Sequence, residues 1–171
     1  MPRPVVIVDY DSRWPAIYEE EKHLILNKVG GRSLGIEHIG STAVPGLGAK
    51  PIIDMMLGIN GPTDAGELLP ILREIGYTDV TPEPGDPEWY YCLGKKASTH
   101  NQLYFHLHLM KHLSKTWGRH LLFRNYLRTH PDTAQKYESL KRELAAKYGS
   151  DKAYTNAKTK FIADVIALQE V

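Results

Sequence analysis

Residues 34–59, LGIEHIGSTAVPGLGAKPIIDMMLGI, hold the groups best suited to chemistry. Gly40-Ser41-Thr42 lies between two apolar runs, Leu34–Ile39 and Pro51–Ile59, and is followed by a turn-rich link with Pro45, Gly46 and Gly48, then Lys50. A glycine followed by two hydroxyls can offer backbone N–H groups and side-chain donors to an anion. Closure of a local turn by the Ser and Thr side chains explains the same triplet without a ligand. The second run carries one carboxylate, Asp54, among apolar residues, and a buried carboxylate requires a cation or hydrogen-bond donors. A divalent metal beside bound phosphates is one such partner. In a later run, Gln102–Met110, His106 and His108 alternate on one strand face, where the pair can reach one metal or one phosphate. His120, Arg124 and Arg128 follow at i, i+4 and i+8. This basic helical stripe suits bidentate phosphate contacts or salt bridges to acidic neighbours.

The stretch HIGSTAVPGLGAKPIID resembles the signature of the GrpB-like family, within the nucleotidyltransferase-fold superfamily. The resemblance extends through Phe105-His106-Leu107-His108, through LFRNYLR at 122–128, and through Tyr154, Lys158, Phe161 and Ile162. It implies a fold in which Gly-Ser, an Asp-x-Asp strand and a third carboxylate hold two metal ions and a nucleoside triphosphate. Here Gly40-Ser41 and Asp54 match that pattern, but Met56 stands in the second acid's place and His106 and His108 occupy the third-acid strand. Ordinary two-magnesium transfer is therefore not expected. Similar domains occur fused to dephospho-coenzyme A kinase, which implies coenzyme-related or accessory roles.

Composition bounds the class. The chain has 171 residues, 42% hydrophobic and 24% charged, which suits a single globular domain over 1–171 with an ample core. No run approaches the ~18 apolar residues of a membrane span, and the start shows no leader pattern. One cysteine, Cys92, excludes an internal disulfide framework. A cytoplasmic location is the resulting expectation. Charge is divided: residues 1–110 hold nine basic and fourteen acidic residues, residues 111–160 twelve basic and four acidic. The basic part can face a polyanionic ligand or form ordinary solvated helix surfaces.

These groups need elements to hold them. Apolar spacing predicts a helix over 13–29, capped by Ser12 with Pro15 in its first turn, stopped by Gly30-Gly31, with Glu19-Glu20-Glu21 on its solvated face. Leu34–Ile39 and Pro51–Ile59 read as core strands in a hairpin-like unit. Asp54 and Met56 share one face of the second; Ile53, Met55 and Leu57 share the other. A helix capped by Thr63 carries Ala65, Leu68, Leu69, Leu72 and Ile75, and Pro70 should kink or split it. Tyr77–Val80 reads as a short strand, Thr81–Glu88 as a loop and flap over the site, and Trp89–Leu93 as a strand. Gly94–Asn101 reads as a turn with a mobile basic tip at Lys95 and Lys96. After the strand Gln102–Met110, helices run from Ser114 to about Thr129, over Asp132–Tyr148 ended by Gly149, and from Ser150 or Asp151 onward. Lys141, Arg142 and Lys147 read as plain surface.

The fold class is therefore α+β: a mixed sheet of about five strands flanked by helices, with C-terminal helices, matching the nucleotidyltransferase-like fold that the resemblance implies. The leading expectation is a metal-assisted nucleotidyltransferase or phosphate-transfer protein whose partner is a nucleotide or another small phosphorylated ligand. Gly40, Ser41 and Thr42 would hold phosphate oxygens. Asp54, His106 and His108 would hold a divalent cation, with Asp54 and Lys50 at the chemistry. Lys50, Arg124, Tyr126 and Lys158 would neutralise phosphate charge. Magnesium or manganese suits the carboxylate, and two histidines with one carboxylate also suit zinc or iron. The alternative is a catalytically inactive nucleotide- or coenzyme-binding module of the same fold, motivated by Met56. A third reading is a hydrolase in which the histidine pair and a metal activate water. Nucleic acid is not an expected partner, because no aromatic-rich basic motif accompanies the charge, nor is a membrane.

Overall fold

The computed structural model describes residues 5–83, 85–100, 102–148 and 151–170. Five strands form one sheet: β1 (Gly35–Ile39), β2 (Ile52–Ile59), β3 (Asp79–Pro82), β4 (Trp89–Lys96) and β5 (Tyr104–Lys111), in the order β1-β2-β5-β4-β3. Only β2 and β5 run parallel; the other neighbours are antiparallel. Helices α1 (Trp14–Val29) and α2 (Pro62–Glu74) lie early in the chain; α3 (Lys115–Thr129), α4 (Pro131–Lys147) and α5 (Asp151–Ala167) close it. This is the mixed five-stranded α+β architecture that the sequence pattern predicts. Among the described residues, no helix is long and apolar enough to cross a membrane.

Strand alternation divides the sheet into two chemically different faces. Ile53, Met55, Leu57 and Ile59 of β2, with Phe105, Leu107 and Leu109 of β5, pack against Trp14, Ile17, Ile25 and Val29 of α1 and Ala65, Leu68 and Leu72 of α2. The opposite face is covered only in part. Ile39, Met56 and Met110 meet Trp117 of α3. Farther along, Val44 and Leu47 of the β1–β2 link meet Leu127 and Tyr137, flanked by Phe123, Phe161 and Ile162. The C-terminal helices thus dock on the link and on one end of the sheet. Between the two contacts, the polar residues of β2 and β5 face a cleft.

Several local expectations are corrected. Glu21 is not solvated: it is buried, accepts Lys95 Nζ at 2.8 and 3.0 Å, and accepts the Tyr77 hydroxyl at 2.9 Å. The same ion pair explains why β4 continues through Lys95 and Lys96 where a mobile tip is expected. Lys95 is drawn inward over the rings of Tyr77 and Phe105. Asn101, the end of that expected tip, lies outside the described residues, as do Pro84, Gly149 and Ser150. Helix α2 runs unbroken through Pro70. The residue whose carbonyl Pro70 would crowd, Gly66, is exposed, so that carbonyl can tilt into water. Its N-cap is Gly61 with Pro62 following, not Thr63, and the N-cap of α1 is Arg13, not Ser12. The short strand after α2 begins at Asp79, because Tyr77 is committed to the core. Ser114 does cap α3, accepting from the Trp117 amide at 3.1 Å.

Removing one member of a buried ion pair strands the other charge away from water. Glu21→Ala is expected to lower unfolding free energy by about 3–5 kcal/mol. Urea denaturation of the wild type and the variant measures it; a loss well below 1 kcal/mol would mean that Lys95 escapes to solvent.

Candidate functional site

A cleft of about 750 Å³ opens between the polar face of the sheet and the C-terminal helices, a size suited to a small-molecule ligand. Gly40, Ser41, Lys50, Asp54, His106, His108 and Lys158 line it together, although they come from the β1–β2 link, two strands and the last helix. Register accounts for part of this. Parallel pairing of β2 with β5 sets Asp54 beside His106 and Met56 beside His108. Antiparallel pairing of β1 with β2 sets Ile39 opposite Asp54, so the chain leaves β1 beside the carboxylate. Gly40 turns there at φ +72°, and a Cβ at this position would stand 2.9 Å from Asp54 Oδ2. Both the backbone conformation and the close approach require glycine.

Asp54 and the two histidines form one hydrogen-bonded group. Asp54 Oδ1 lies 3.3 Å from His108 Nε2 and 3.5 Å from His106 Nδ1. Burial opposes charge on Asp54, but the hydrogen bonds and charge of His106 and His108 outweigh it and hold the carboxyl well below the usual range. Burial also opposes charge on His108. The Asp54 carboxylate, with the Cys92 sulfur facing it from β4, overcomes this and raises the imidazole to about 10. His120 of α3 stacks on His108 with ring centroids 6.4 Å apart. Burial, then the His108 charge, pushes it down to about 4, so it lines the cleft as a neutral ring. Trp89 meets both rings edge-on at 5.2 and 5.6 Å.

Both histidines converge on the same carboxylate oxygen. Among the described residues, no group of three or more His, Cys, Asp or Glu has the geometry to hold a metal ion. Met56 is fully buried against Ile39, Met110 and Trp117, so it packs α3 onto the sheet and does not line the cleft.

The lining is also basic. Lys50, Arg119, Lys141 and Lys158 all line the cleft. Lys50 and Lys158 lie over the ring of Tyr154, at 5.3 and 4.4 Å from its centroid. Lys141, expected as plain surface, is 1% exposed. It donates to Ser41 Oγ at 2.9 Å and to the Gly48 carbonyl, above the Tyr137 ring at 5.0 Å. A sequence signal exists: Tyr137, Lys141 and Leu144 recur at i, i+4 and i+7, and all three are buried on α4. A lysine inside an apolar stripe marks a buried amine.

Other expected site residues lie elsewhere. Arg124 Nη1 donates to Glu37 Oε2 at 2.6 Å and to the His38 carbonyl at 2.9 Å, so its charge braces β1 and does not line the cleft. Arg128 likewise donates to the Ala43 carbonyl at 2.8 Å. Tyr126 stacks on His130 at 3.7 Å at the far end of α3. Thr42 lies at the cleft wall, but its hydroxyl is committed, donating to the Ile52 carbonyl at 3.2 Å and pairing with His38 Nε2 at 2.9 Å. His38 itself stacks on Tyr18, and burial pushes it down to about 4. Glu83, Gly85 and Asp86 of the loop before β4 line the cleft, and Thr116 of α3 donates to Asp86.

Comparison with known proteins gives a consistent assignment. The sequence model of the family described as GrpB protein matches residues 4–168. The chain is 32% identical to the glutamate-rich protein GrpB of Alkalihalophilus pseudofirmus over 165 residues, covering 95% of this chain and 94% of that one. It is 36% identical to the UPF0157 protein PA4798 of Pseudomonas aeruginosa over 163 residues, which is 95% of this chain and 66% of that protein's length. The crystal structure of the conserved protein GrpB from Enterococcus faecalis superposes with a TM-score of 0.80 at 32% identity, covering 95% of each chain. A more distant similarity, 27% identity over 184 residues, is to a dephospho-CoA kinase of Mycolicibacterium paratuberculosis, of which the matched part is 45%.

Two outcomes follow from the geometry. Gly40→Ala should lose at least about 1–2 kcal/mol in urea unfolding, because a side chain there is strained at positive φ and meets Asp54; an unchanged midpoint would show that the turn relaxes freely. The second concerns Lys141. Burial first, then Lys158, lowers its pKa from 10.5 to about 7. Between those values the unfolded chain holds more proton at this position than the folded one, so stability rises with pH across the window. Below about 7 the amine is charged in both states, and the cost of burying it is present in full. Lys141→Met should flatten that rise in urea midpoints measured across roughly pH 6.5 to 9; an equal rise in both proteins would place the titration elsewhere.

Proposed function

The chain belongs to the GrpB family, and from that premise we propose that its cleft binds a nucleotide or a related small phosphorylated ligand and supports phosphate or nucleotidyl transfer. One observation carries this reading: a hydrogen-bonded Asp–His group and several cations line one cleft of about 750 Å³. Ser41, Lys50 and Lys158 supply donors and positive charge for phosphate oxygens. Asp54 holds His106 through Nδ1, which leaves Nε2 as the ring atom able to exchange a proton with a reacting oxygen. The neutral rings of His120 and Phe123, with Trp89, give the cleft an apolar section for the rest of the ligand. We place the divalent cation expected from the sequence on the ligand's own phosphates, not on a protein-held centre, and route no step through it.

A second reading, ligand binding without turnover, is favoured by the buried apolar Met56, which leaves β2 with a single cleft carboxylate. The similarity to a dephospho-CoA kinase supports a coenzyme-like phosphate ligand under this reading.

Calorimetry with ATP, with and without magnesium, tests the binding claim. The Lys50→Ala/Lys158→Ala double variant should weaken binding by about tenfold or more, roughly 1.4 kcal/mol. Equal binding by wild type and double variant would overturn the reading. Release of pyrophosphate or phosphate by the wild type and its loss in Asp54→Asn would favour transfer; ATP binding without release across acceptors and metals would favour the second reading.

A further inference from the structure

The cleft contains a nucleophile and a base in direct contact. Ser41 is half-buried and lines the cleft. Lys141 stands behind it, 1% exposed, with Nζ at 2.9 Å from Ser41 Oγ. A second bond, from Nζ to the Gly48 carbonyl, fixes the amine against the β1–β2 link. A neutral amine has two protons and one lone pair. With one proton given to Gly48, the lone pair can accept the Ser41 hydroxyl proton. Serine beside a buried lysine is a recurring arrangement for an activated nucleophile, in which the base must be uncharged near neutral pH.

We propose that Ser41 and Lys141 form a nucleophilic dyad that attacks a phosphoryl group of a ligand bound in the cleft. The substrate class rests on the reading of the cleft as a phosphate site; the nucleophilicity of Ser41 can be tested apart from it. In the step, Ser41 Oγ bonds to phosphorus as the bond from phosphorus to the leaving oxygen breaks. The hydroxyl proton passes to Lys141 Nζ and then to that leaving oxygen. Water next attacks the phosphoserine, Lys141 takes one proton from it, and Ser41 Oγ leaves phosphorus and regains a proton. No oxidant or reductant enters.

The surroundings of Lys141 are consistent with a base. Burial is the main influence that disfavours its charge, and Lys158 on α5, Arg142 on α4 and Lys50 on the link act in the same direction. Glu138, one helical position before Ser139 on α4, opposes them. That carboxylate is engaged with the Gly48 amide at 2.9 Å and with Arg142 at 2.9 and 3.1 Å. Tyr137 faces the amine with its ring and shares a hydrogen bond with Ser41 through its hydroxyl, which burial pushes up, so it stays neutral. The balance brings Lys141 to about 7, where a substantial fraction is the free amine.

Diisopropyl fluorophosphate tests the dyad on the intact chain. Attack by Ser41 releases fluoride and leaves a diisopropylphosphoryl group on Oγ, read by intact mass and peptide mapping. The wild type should be labelled at Ser41, at a rate that climbs as pH rises through about 7. Ser41→Ala should take no label in that peptide. Lys141→Met and Lys141→Arg should be slower by about a hundredfold or more; the arginine variant keeps the cation and removes the base. No adduct at Ser41, a flat pH profile in the wild type, or labelling of Lys141→Arg at the wild-type rate would overturn the dyad. ATP calorimetry on the same samples separates the two readings. Binding without an adduct overturns only the dyad; an adduct without binding overturns the phosphate-site reading and leaves a serine nucleophile for another electrophile.

Discussion

A charge that must be taken out of water needs partners already in place, and the buried amine of Lys141 finds its partners on the β1–β2 link. Its bonds to Ser41 and Gly48 tie α4 to a segment that has no regular structure beyond one short 3-10 turn. The Gly48 amide adds to the tie by donating to Glu138 of the same helix. Because α3, α4 and α5 pack together around Leu127, Tyr137 and Phe161, fixing the link also fixes the wall of the cleft. The helices therefore stand beside Asp54 and the two histidines without covering them.

The two faces of the sheet solve the same electrostatic problem in different ways. On the α1–α2 face, Glu21, Lys95 and Tyr77 satisfy one another in a core otherwise made of aliphatic and aromatic side chains. Nothing is left over for a ligand, and the group reads as structure. On the cleft face, the acid and the amine are kept apart. Asp54 is paired with histidines on β5, and the Lys141 amine is hydrogen-bonded to a hydroxyl and a carbonyl, so the carboxylate does not pair with the lysines of the cleft. A field divided in this way suits a ligand with its own negative charge at one end.

How much of this is legible in the sequence depends on the range of the interactions. Period-two alternation in Pro51–Ile59 and Gln102–Met110 reports the burial of one sheet face, which places Asp54, His106 and His108 together on the other. Gly40 is legible for a similar reason, since a glycine ending a strand marks a turn. The failures are long-range. Arg124 has the chemistry of a phosphate ligand, but Glu37 and the His38 carbonyl, more than eighty positions earlier, take its guanidinium first. Glu21 looks solvated in a run of three glutamates, and only Lys95 on a distant strand reveals that it is buried. Lys141 is intermediate: its helical stripe carries the signal, but the adjacent Arg142, which is on the exposed side of α4, makes the pair resemble surface. Thr42 has a structural role in place of ligand binding, with its hydroxyl spent on the Ile52 carbonyl of β2 and on His38.

The central claim is that one cleft holds the phosphates of a small ligand between the Ser41–Lys141 tie and the Asp54–histidine group. A crystal structure of the chain with a bound non-hydrolysable nucleoside triphosphate tests it most directly. The account predicts phosphate density within hydrogen-bonding distance of Ser41 Oγ and the amines of Lys141 and Lys158, with the reacting end toward His106. Phosphate density anywhere outside this cleft, or Lys141 turned out to solvent with Ser41 facing a closed wall, would contradict it.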